Sequence, residues 1–350
     1  MKVLFIISTL RAGGAERVAS LLASEFAISN DVSLARFDNE KPFYELHDKV
    51  KLLSLDLGTG DYGFFGNLKK RFSKIFMIRK LIKNGEFDCV ISFMDSTNLL
   101  VLLGSVFLKT KIIISEHSYH KFLSFKWRVL KRLIYPFADG LSVLTKEDFE
   151  YYKFVKNRAV IYNPMFFNVD IDTNELEKEN IMIFVGRLIK AKGCDVFLEA
   201  LSLIKDELKD WKILVLGDGN EILNLKNLAK KINLNIEFCG MVNNISNYYK
   251  KAKILVLSSR SEGLGNAFIE AIFYNILRVS TPTSGAKELI KDEFDGLISE
   301  DFSALSLSKK IKISLSGCDN LVENAKLRQS EFEIKNIYNR WLNLIKEAAN

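Results

Sequence analysis

The chain of 350 residues, 48% hydrophobic and 27% charged, is long enough for two ordinary domains and too apolar to remain disordered. Its longest apolar run, Leu99 to Leu108, falls well short of the roughly 20 residues that cross a bilayer. The net charge of +7 is concentrated: residues 1–165 carry 25 Lys/Arg against 17 Asp/Glu, residues 166–350 carry 25 against 26, and residues 61–135 alone hold 14 against 5.

Short apolar runs alternate with helical patterns along the chain, the mark of parallel α/β layers. Strands are expected at Val3–Ser8, Val32–Phe37, Cys89–Phe93, Ile112–Ser115 and Gly140–Leu144, with helices beginning near Ala15, Leu68, Asn98 and Lys126. The alternation stops at Tyr162-Asn163-Pro164, and an acidic, irregular stretch follows to about Asn180. It restarts with strands at Ile181–Val185, Lys212–Leu216, Ile236–Phe238, Ile254–Ser258 and Arg278–Ser280. The last helix, about Glu333 to Ala348, sets Ile334, Ile337, Trp341, Leu342 and Ile345 on one face. The expected architecture is α/β: two doubly wound, Rossmann-like domains over 1–165 and 166–332, with the segment 333–350 placed to pack back on the first. Cys89, Cys194, Cys239 and Cys318 have neither paired nor metal-type spacing and read as reduced core residues of a cytosolic protein. Lys2 followed by Val3 to Ile7 is too short an apolar run for a signal peptide.

The chemistry is expected at the ends of these strands. Ser261-Glu262-Gly263-Leu264-Gly265-Asn266-Ala267-Phe268-Ile269-Glu270 follows a buried strand and opens a helix at Asn266. Free N–H groups at a helix start favour a phosphate, and Gly263 and Gly265 let a ligand approach the backbone. Glu262 and Glu270 supply carboxylates that can grip sugar hydroxyls, so the stretch suits a sugar nucleotide. Gly186-Arg187-Leu188-Ile189-Lys190-Ala191-Lys192-Gly193 offers Arg187 and Lys192 to a diphosphate, against the alternative of a solvated basic turn. Gly13-Gly14 makes a tight turn before the first helix whose N–H groups can face an anion, and the lack of G-x-G-x-x-G there argues against a dinucleotide. His117, in Ser115-Glu116-His117-Ser118, stands at a strand end, where a satisfied surface histidine is the competing reading.

In this order these motifs resemble glycosyltransferase family 4, retaining and nucleotide-sugar-dependent enzymes of the GT-B fold, in which two Rossmann-like domains face across a cleft. The resemblance rests on Gly13-Gly14-Ala15-Glu16, Gly186-Arg187-Leu188 with Lys192-Gly193, Gly217-Asp218-Gly219, and Glu262-x7-Glu270. It implies that Arg187 and Lys192 hold the donor diphosphate, Glu270 the ribose hydroxyls, and Glu262 the donor sugar near the reacting centre. Gly13, Gly14, Gly217, Gly263, Leu264, Gly265 and Asn266 would complete the donor site, with His117 against the transferred sugar. Leu264 and Asn266 depart from the Phe and the Gly or Pro usual in this motif, which bears on donor fit. The resemblance implies no metal and no cofactor beyond the donor. Asp170-Ile171-Asp172 falls in the irregular linker and reads as solvated, and His117-x-x-His120 lacks a third ligand nearby.

The basic segment interleaves charge with apolar residues. Leu68 to Lys83 sets Lys69, Lys70, Arg71, Lys74, Arg79, Lys80 and Lys83 among Phe72, Ile75, Phe76 and Ile78. Tyr119 to Phe137 does the same with Lys121, Lys126, Arg128, Lys131 and Arg132 among Phe122, Phe125, Trp127, Leu130 and Tyr135. Such amphipathic stretches suit an anionic membrane surface or a lipid diphosphate, with a packed helix bearing a wet basic face and nucleic acid as competing readings. Arg71 to Lys80, Ser92 to Asn98 and Ser115 to Ser118 are similar to the N-acetylgalactosaminyltransferases of bacterial protein N-glycosylation, and related enzymes of surface-polysaccharide assembly share many of these features. This closer resemblance implies UDP-GalNAc as donor and an undecaprenyl-diphosphate-linked glycan as acceptor. Arg71, Lys74 and Arg79 would hold the acceptor pyrophosphate, with Asp95 and Asn98 near its sugar. It implies a cytoplasmic enzyme, peripheral on the inner face of the plasma membrane, with no nucleic-acid partner. A hexosyltransferase of lipopolysaccharide, capsule or exopolysaccharide synthesis, a sugar-nucleotide epimerase and a non-catalytic binding protein remain open alternatives.

Overall fold

The computed structural model describes residues 1–56, 63–166 and 177–348, with the backbone alone for 63–68. The chain divides into two compact units, Met1–Phe166 with the segment from Glu331 onward, and Phe167–Ser330. The first runs β1 (Lys2–Ile6), α1 (Gly14–Ser29), β2 (Asp31–Arg36), β3 (Lys51–Ser54), α2 (Gly63–Gly85), β4 (Cys89–Phe93) and α3 (Asp95–Ser105). It continues with β5 (Lys111–Ser115), α4 (Phe125–Ile134), β6 (Gly140–Val143), α5 (Lys146–Tyr151) and β7 (Arg158–Val160). Among the described residues these strands form one seven-stranded parallel sheet in the order β3-β2-β1-β4-β5-β6-β7.

The second unit holds β8 (Glu179–Val185), α6 (Cys194–Ser202), β9 (Lys212–Leu216), α7 (Ile222–Ile232), β10 (Ile236–Gly240), α8 (Ser246–Lys251) and β11 (Ala252–Leu257). After these come α9 (Asn266–Phe273), β12 (Leu277–Ser280), α10 (Ser284–Leu289), β13 (Leu297–Ile298), α11 (Ala304–Leu315) and α12 (Asp319–Lys326). Its described strands make a six-stranded parallel sheet, β10-β9-β8-β11-β12-β13. The last helix, α13 (Ile334–Glu347), belongs to the first unit.

Central strands are apolar at consecutive positions because helices cover both faces of each sheet. In β1, Leu4 and Ile6 face a core shared with Ile78 and Ile82 of α2 and Val101 and Leu102 of α3. Phe5 faces the opposite way, with Phe26 of α1 at 5.4 Å and Phe93 at 6.1 Å between ring centroids. Trp341 of α13 comes 6.2 Å from Phe93, and Tyr338 comes 4.6 Å from Phe26, so α1 and α13 share that layer. In the second unit Met182, Phe184, Ile213, Val215, Ile254 and Val256 pack under Phe197 and Leu201 of α6. Full burial of such a side chain stabilises by roughly 1.5–3 kcal/mol.

The structure adds β3, β7 and β13, for which the sequence carries no strand signal. β3 and β7 are edge strands of three or four residues that are not buried, and β13 is a buried pair, Leu297–Ile298, too short to stand out as a run. Asp170-Ile171-Asp172 lies outside the described residues. Among the described residues no cluster of side chains could hold a metal, and no helix is long and apolar enough to cross a membrane.

Candidate functional site

Every strand is parallel, so in each unit the loops that leave the strands toward helices gather along one edge of the sheet. In the second unit these loops touch backbone to backbone. A Cβ at Gly217 (φ +140°) would lie 1.9 Å from the Gly186 carbonyl oxygen, and one at Gly193 (φ +65°) would lie 1.9 Å from that of Ser258. Only glycine fits such contacts. The Ser258 hydroxyl donates to the Gly193 carbonyl at 2.7 Å, and the Arg260 amide donates to that of Ala191 at 2.9 Å. The Arg260 guanidinium grips Asp195 with two hydrogen bonds, 2.7 and 2.8 Å. The loop carrying Lys192 and the loop carrying Glu262 are thereby held together.

Between them, the Lys192 ammonium donates to both oxygens of Glu262, at 2.8 and 2.6 Å, and the Ser259 hydroxyl donates to the same carboxylate at 3.0 Å. Arg187 is exposed on the same loop. Gly265 (φ +82°) caps α9, whose first residue is Asn266, so the start of that helix opens on this edge. Leu264 is buried, and a Cβ at Gly285 of α10 would collide with its backbone. Glu270 is buried one turn into α9, where the Tyr249 hydroxyl donates to it at 2.6 Å. The two carboxylates therefore differ in setting: Glu262 is paired with a cation, and Glu270 is buried beside a phenol.

In the first unit Gly13 caps α1 in an extended conformation. The carboxylate of Glu16 folds back over it, where a Cβ at Gly13 would lie 2.1 Å from an oxygen. An acid at a helix start is stabilised by the dipole, so this turn already has a negative partner. His117 follows β5, half-buried. The Ser142 hydroxyl donates to Ser115 Oγ at 2.7 Å, and Ser115 Oγ lies 3.0 Å from His117 Nε2. Where Ser115 donates, Nε2 accepts and Nδ1 carries the ring proton. Burial pushes the His117 pKa down to about 4, against the opposing pull of Asp95. Such a shift favours the neutral imidazole, which donates from one ring nitrogen and accepts at the other.

The residues named for the acceptor fare differently. Asn98 is fully buried. Its amide donates to the Ser115 carbonyl at 2.9 Å and to Glu116 at 3.0 Å, and its oxygen accepts from Ser92 at 2.7 Å. Asn98 is thus enclosed by Ser92, Ser115 and Glu116. Asp95 pairs with Lys131 and accepts from Ser118 at 3.0 Å. Arg79 donates to the carbonyls of Gly104 and Val106 at 3.2 and 2.6 Å, closing the end of α3. Lys74 lies 4.5 Å from the centre of the Phe37 ring, and burial, helped by the charges of Lys70 and Arg71, holds its pKa below the usual lysine value. Arg71 is exposed.

Three features escaped sequence reasoning. Arg260 and Tyr249 work through partners 65 and 21 residues away, so nothing local marks them. Met94 adopts φ +75° at the start of α3, a strained backbone for a residue with a side chain and a common sign of a functional strand end. That signal exists only in the structure.

Comparison with known proteins bears on this geometry. Residues 167–328 match the family described as glycosyl transferases group 1. The chain is 39% identical to a Campylobacter jejuni protein, aligning over 100% of this chain and 99% of that one. Its name is GalNAc-alpha-(1->4)-GalNAc-alpha-(1->3)-diNAcBac-PP-undecaprenol alpha-1,4-N-acetyl-D-galactosaminyltransferase. This chain is a group 1 glycosyltransferase. The fold agrees: sucrose-phosphate synthase from Thermosynechococcus elongatus superposes with a TM-score of 0.82 at 17% identity, covering 100% of both chains. Anabaena HepE, solved with UDP and glucose, superposes at 0.78 and 16% identity over 99% of each chain. The glycosyltransferase has the GT-B fold, two Rossmann-like units built on parallel sheets.

Proposed function

We propose that this glycosyltransferase moves N-acetylgalactosamine from UDP-GalNAc onto an undecaprenyl-diphosphate-linked saccharide, with retention of anomeric configuration. The observation that carries the reading is the Lys192–Glu262 clamp beside exposed Arg187, in a chain 39% identical throughout to an enzyme named for that transfer. When the bond between the anomeric carbon and the diphosphate breaks, charge develops on the leaving oxygen, and Arg187 and Lys192 neutralise it. The acceptor hydroxyl adds from the face the diphosphate leaves, and its proton departs with the diphosphate. Glu262 orients Lys192 and accepts from a sugar hydroxyl, Glu270 holds the ribose, and the Nδ1–H of His117 donates to the transferred sugar. Two fixed cations do what a metal does elsewhere, so none is required.

The acceptor's lipid carrier fits the surface of the first unit. Phe72 and Phe76 of α2, Phe107 beyond α3, and Phe125 and Leu133 of α4 are exposed, interleaved with Arg71, Lys80, Lys126 and Arg128. Soluble proteins seldom leave so many large apolar side chains in water on one set of helices. With basic residues between them, these helices suit the anionic inner face of a plasma membrane, where Arg71 and Lys74 would meet the acceptor diphosphate.

The test is incubation of the purified protein with UDP-sugars and a short-chain polyprenyl-diphosphate saccharide, read by mass spectrometry. The expected product is heavier by one or more N-acetylhexosamines and appears with UDP-GalNAc. No UDP release with any common donor overturns the reading. Lys192→Ala and Glu262→Ala are each expected to lower turnover by roughly 10²–10³-fold, and normal turnover of a folded variant removes that residue from the mechanism.

A further inference from the structure

We propose that Lys131 is a positioning residue for transfer, because it tethers both chain neighbours of His117. Its ammonium has three protons and three acceptors: Asp95, Glu116 Oε2 at 2.7 Å, and the Tyr152 hydroxyl at 3.2 Å. Glu116 directly precedes His117. Ser118 directly follows it and donates to the other oxygen of Asp95 at 3.0 Å. One lysine therefore holds residue 116 directly and residue 118 through a single carboxylate, with His117 between them. Glu116 is held further by Asn98 at 3.0 Å and by the Tyr135 hydroxyl, so the tether ends in rigid, buried groups.

The position of Lys131 in α4 argues that this arrangement serves more than folding. Trp127, Lys131 and Ile134 follow the i, i+4, i+7 spacing of an inward helical stripe, and Trp127 and Ile134 pack on the core. Lys131, 1% exposed, is the buried residue of this helix, while Phe125, Leu130 and Leu133 face water. A helix selected for packing alone would carry leucine at the centre of the stripe and put the lysine outside. Buried ion clusters are weak sources of stability, because desolvation offsets most of the attraction. Such a cluster at the foot of the His117 loop sets geometry, and a histidine displaced by about an ångström loses much of its use in the transition state.

The inference rests on the reading of His117 as the sugar-facing donor, so the experiment pairs a kinetic with a spectroscopic readout. Lys131→Met with Glu116→Gln removes the ammonium together with the carboxyl group it is bonded to. Ser118→Ala cuts the second tether alone and leaves every buried charge in place. Each is expected to lower kcat about tenfold or more, equivalent to about 1.4 kcal/mol of barrier, with the KM for UDP-GalNAc within about twofold of wild type. Lys131→Arg should recover part of the loss. The chain has three histidines, so ¹⁵N spectra resolve the His117 ring, whose Nδ1–H signature should weaken in both variants. If the wild type turns nothing over, the proposed function fails and the ring signal alone decides the tether. An unchanged His117 signal or a wild-type kcat in folded variants overturns the proposal, as does a loss seen in donor KM instead of kcat.

Discussion

Gly193 illustrates how tightly single residues constrain the loops of the second unit. Its φ of +65° and the carbonyl of Ser258 leave no space for a methyl group, so Gly193→Ala must push the Lys192 and Glu262 loops apart. The expected result is a destabilisation of at least about 1–3 kcal/mol, read as a lower melting temperature, together with weaker UDP binding by calorimetry. Retained binding at wild-type affinity would separate the glycine from the clamp. His117 makes a second prediction at this scale. Its folded pKa, about 4, lies below the ordinary 6.5, so between these values the unfolded chain binds the extra proton. Its contribution to stability is present above about pH 6.5 and is lost as pH falls through about 4. Denaturation curves across that window should flatten in His117→Gln; an unchanged slope means another group is responsible. The identities of Lys192, Glu262 and His117 were legible from motif and strand position. The Lys192–Glu262 pairing was not, because it joins residues 70 apart and depends on the loops meeting.

Helix α4 presents a contrast between pattern and placement. Its sequence reads as basic and amphipathic, which leaves open whether the apolar or the charged side turns inward. In the folded unit Lys131 is inside, while Phe125 and Leu133, 73% and 65% exposed, are outside. Phe125→Ser with Leu133→Ser removes apolar area that is largely in water in the folded and unfolded chain alike, so the two losses nearly cancel in stability. It should leave melting within a few degrees of wild type while sharply reducing cosedimentation with phosphatidylglycerol vesicles. Binding by the wild type should weaken as salt rises, since about 8 Å of screening at physiological ionic strength acts directly on exposed Lys126 and Arg128. Equal sedimentation of variant and wild type would remove α4 from the membrane surface. The short edge strands β3 and β7 escaped prediction for a related reason: pairing, and not a buried apolar run, makes them strands.

At the scale of the whole molecule, the charge asymmetry matches a division of labour between the units. The basic, partly apolar helices belong to the first, and the clamp of Lys192 and Glu262 with Arg187 belongs to the second. Since cations of the chain are available to neutralise the diphosphate, turnover should survive excess EDTA. Loss of activity on chelation, restored by a divalent cation, would contradict this. The sequence by itself determined the α/β class, the strand-end positions of the motifs and the reaction family. Buried apolar runs, glycine turns and helix starts are local properties, written within a few neighbouring residues. Only the tertiary structure decided which charges pair, that Asn98 is withdrawn into the core, and that a lysine of α4 lies beneath His117. Those outcomes join residues 15 to 70 apart, and they depend on which groups burial removes from water together.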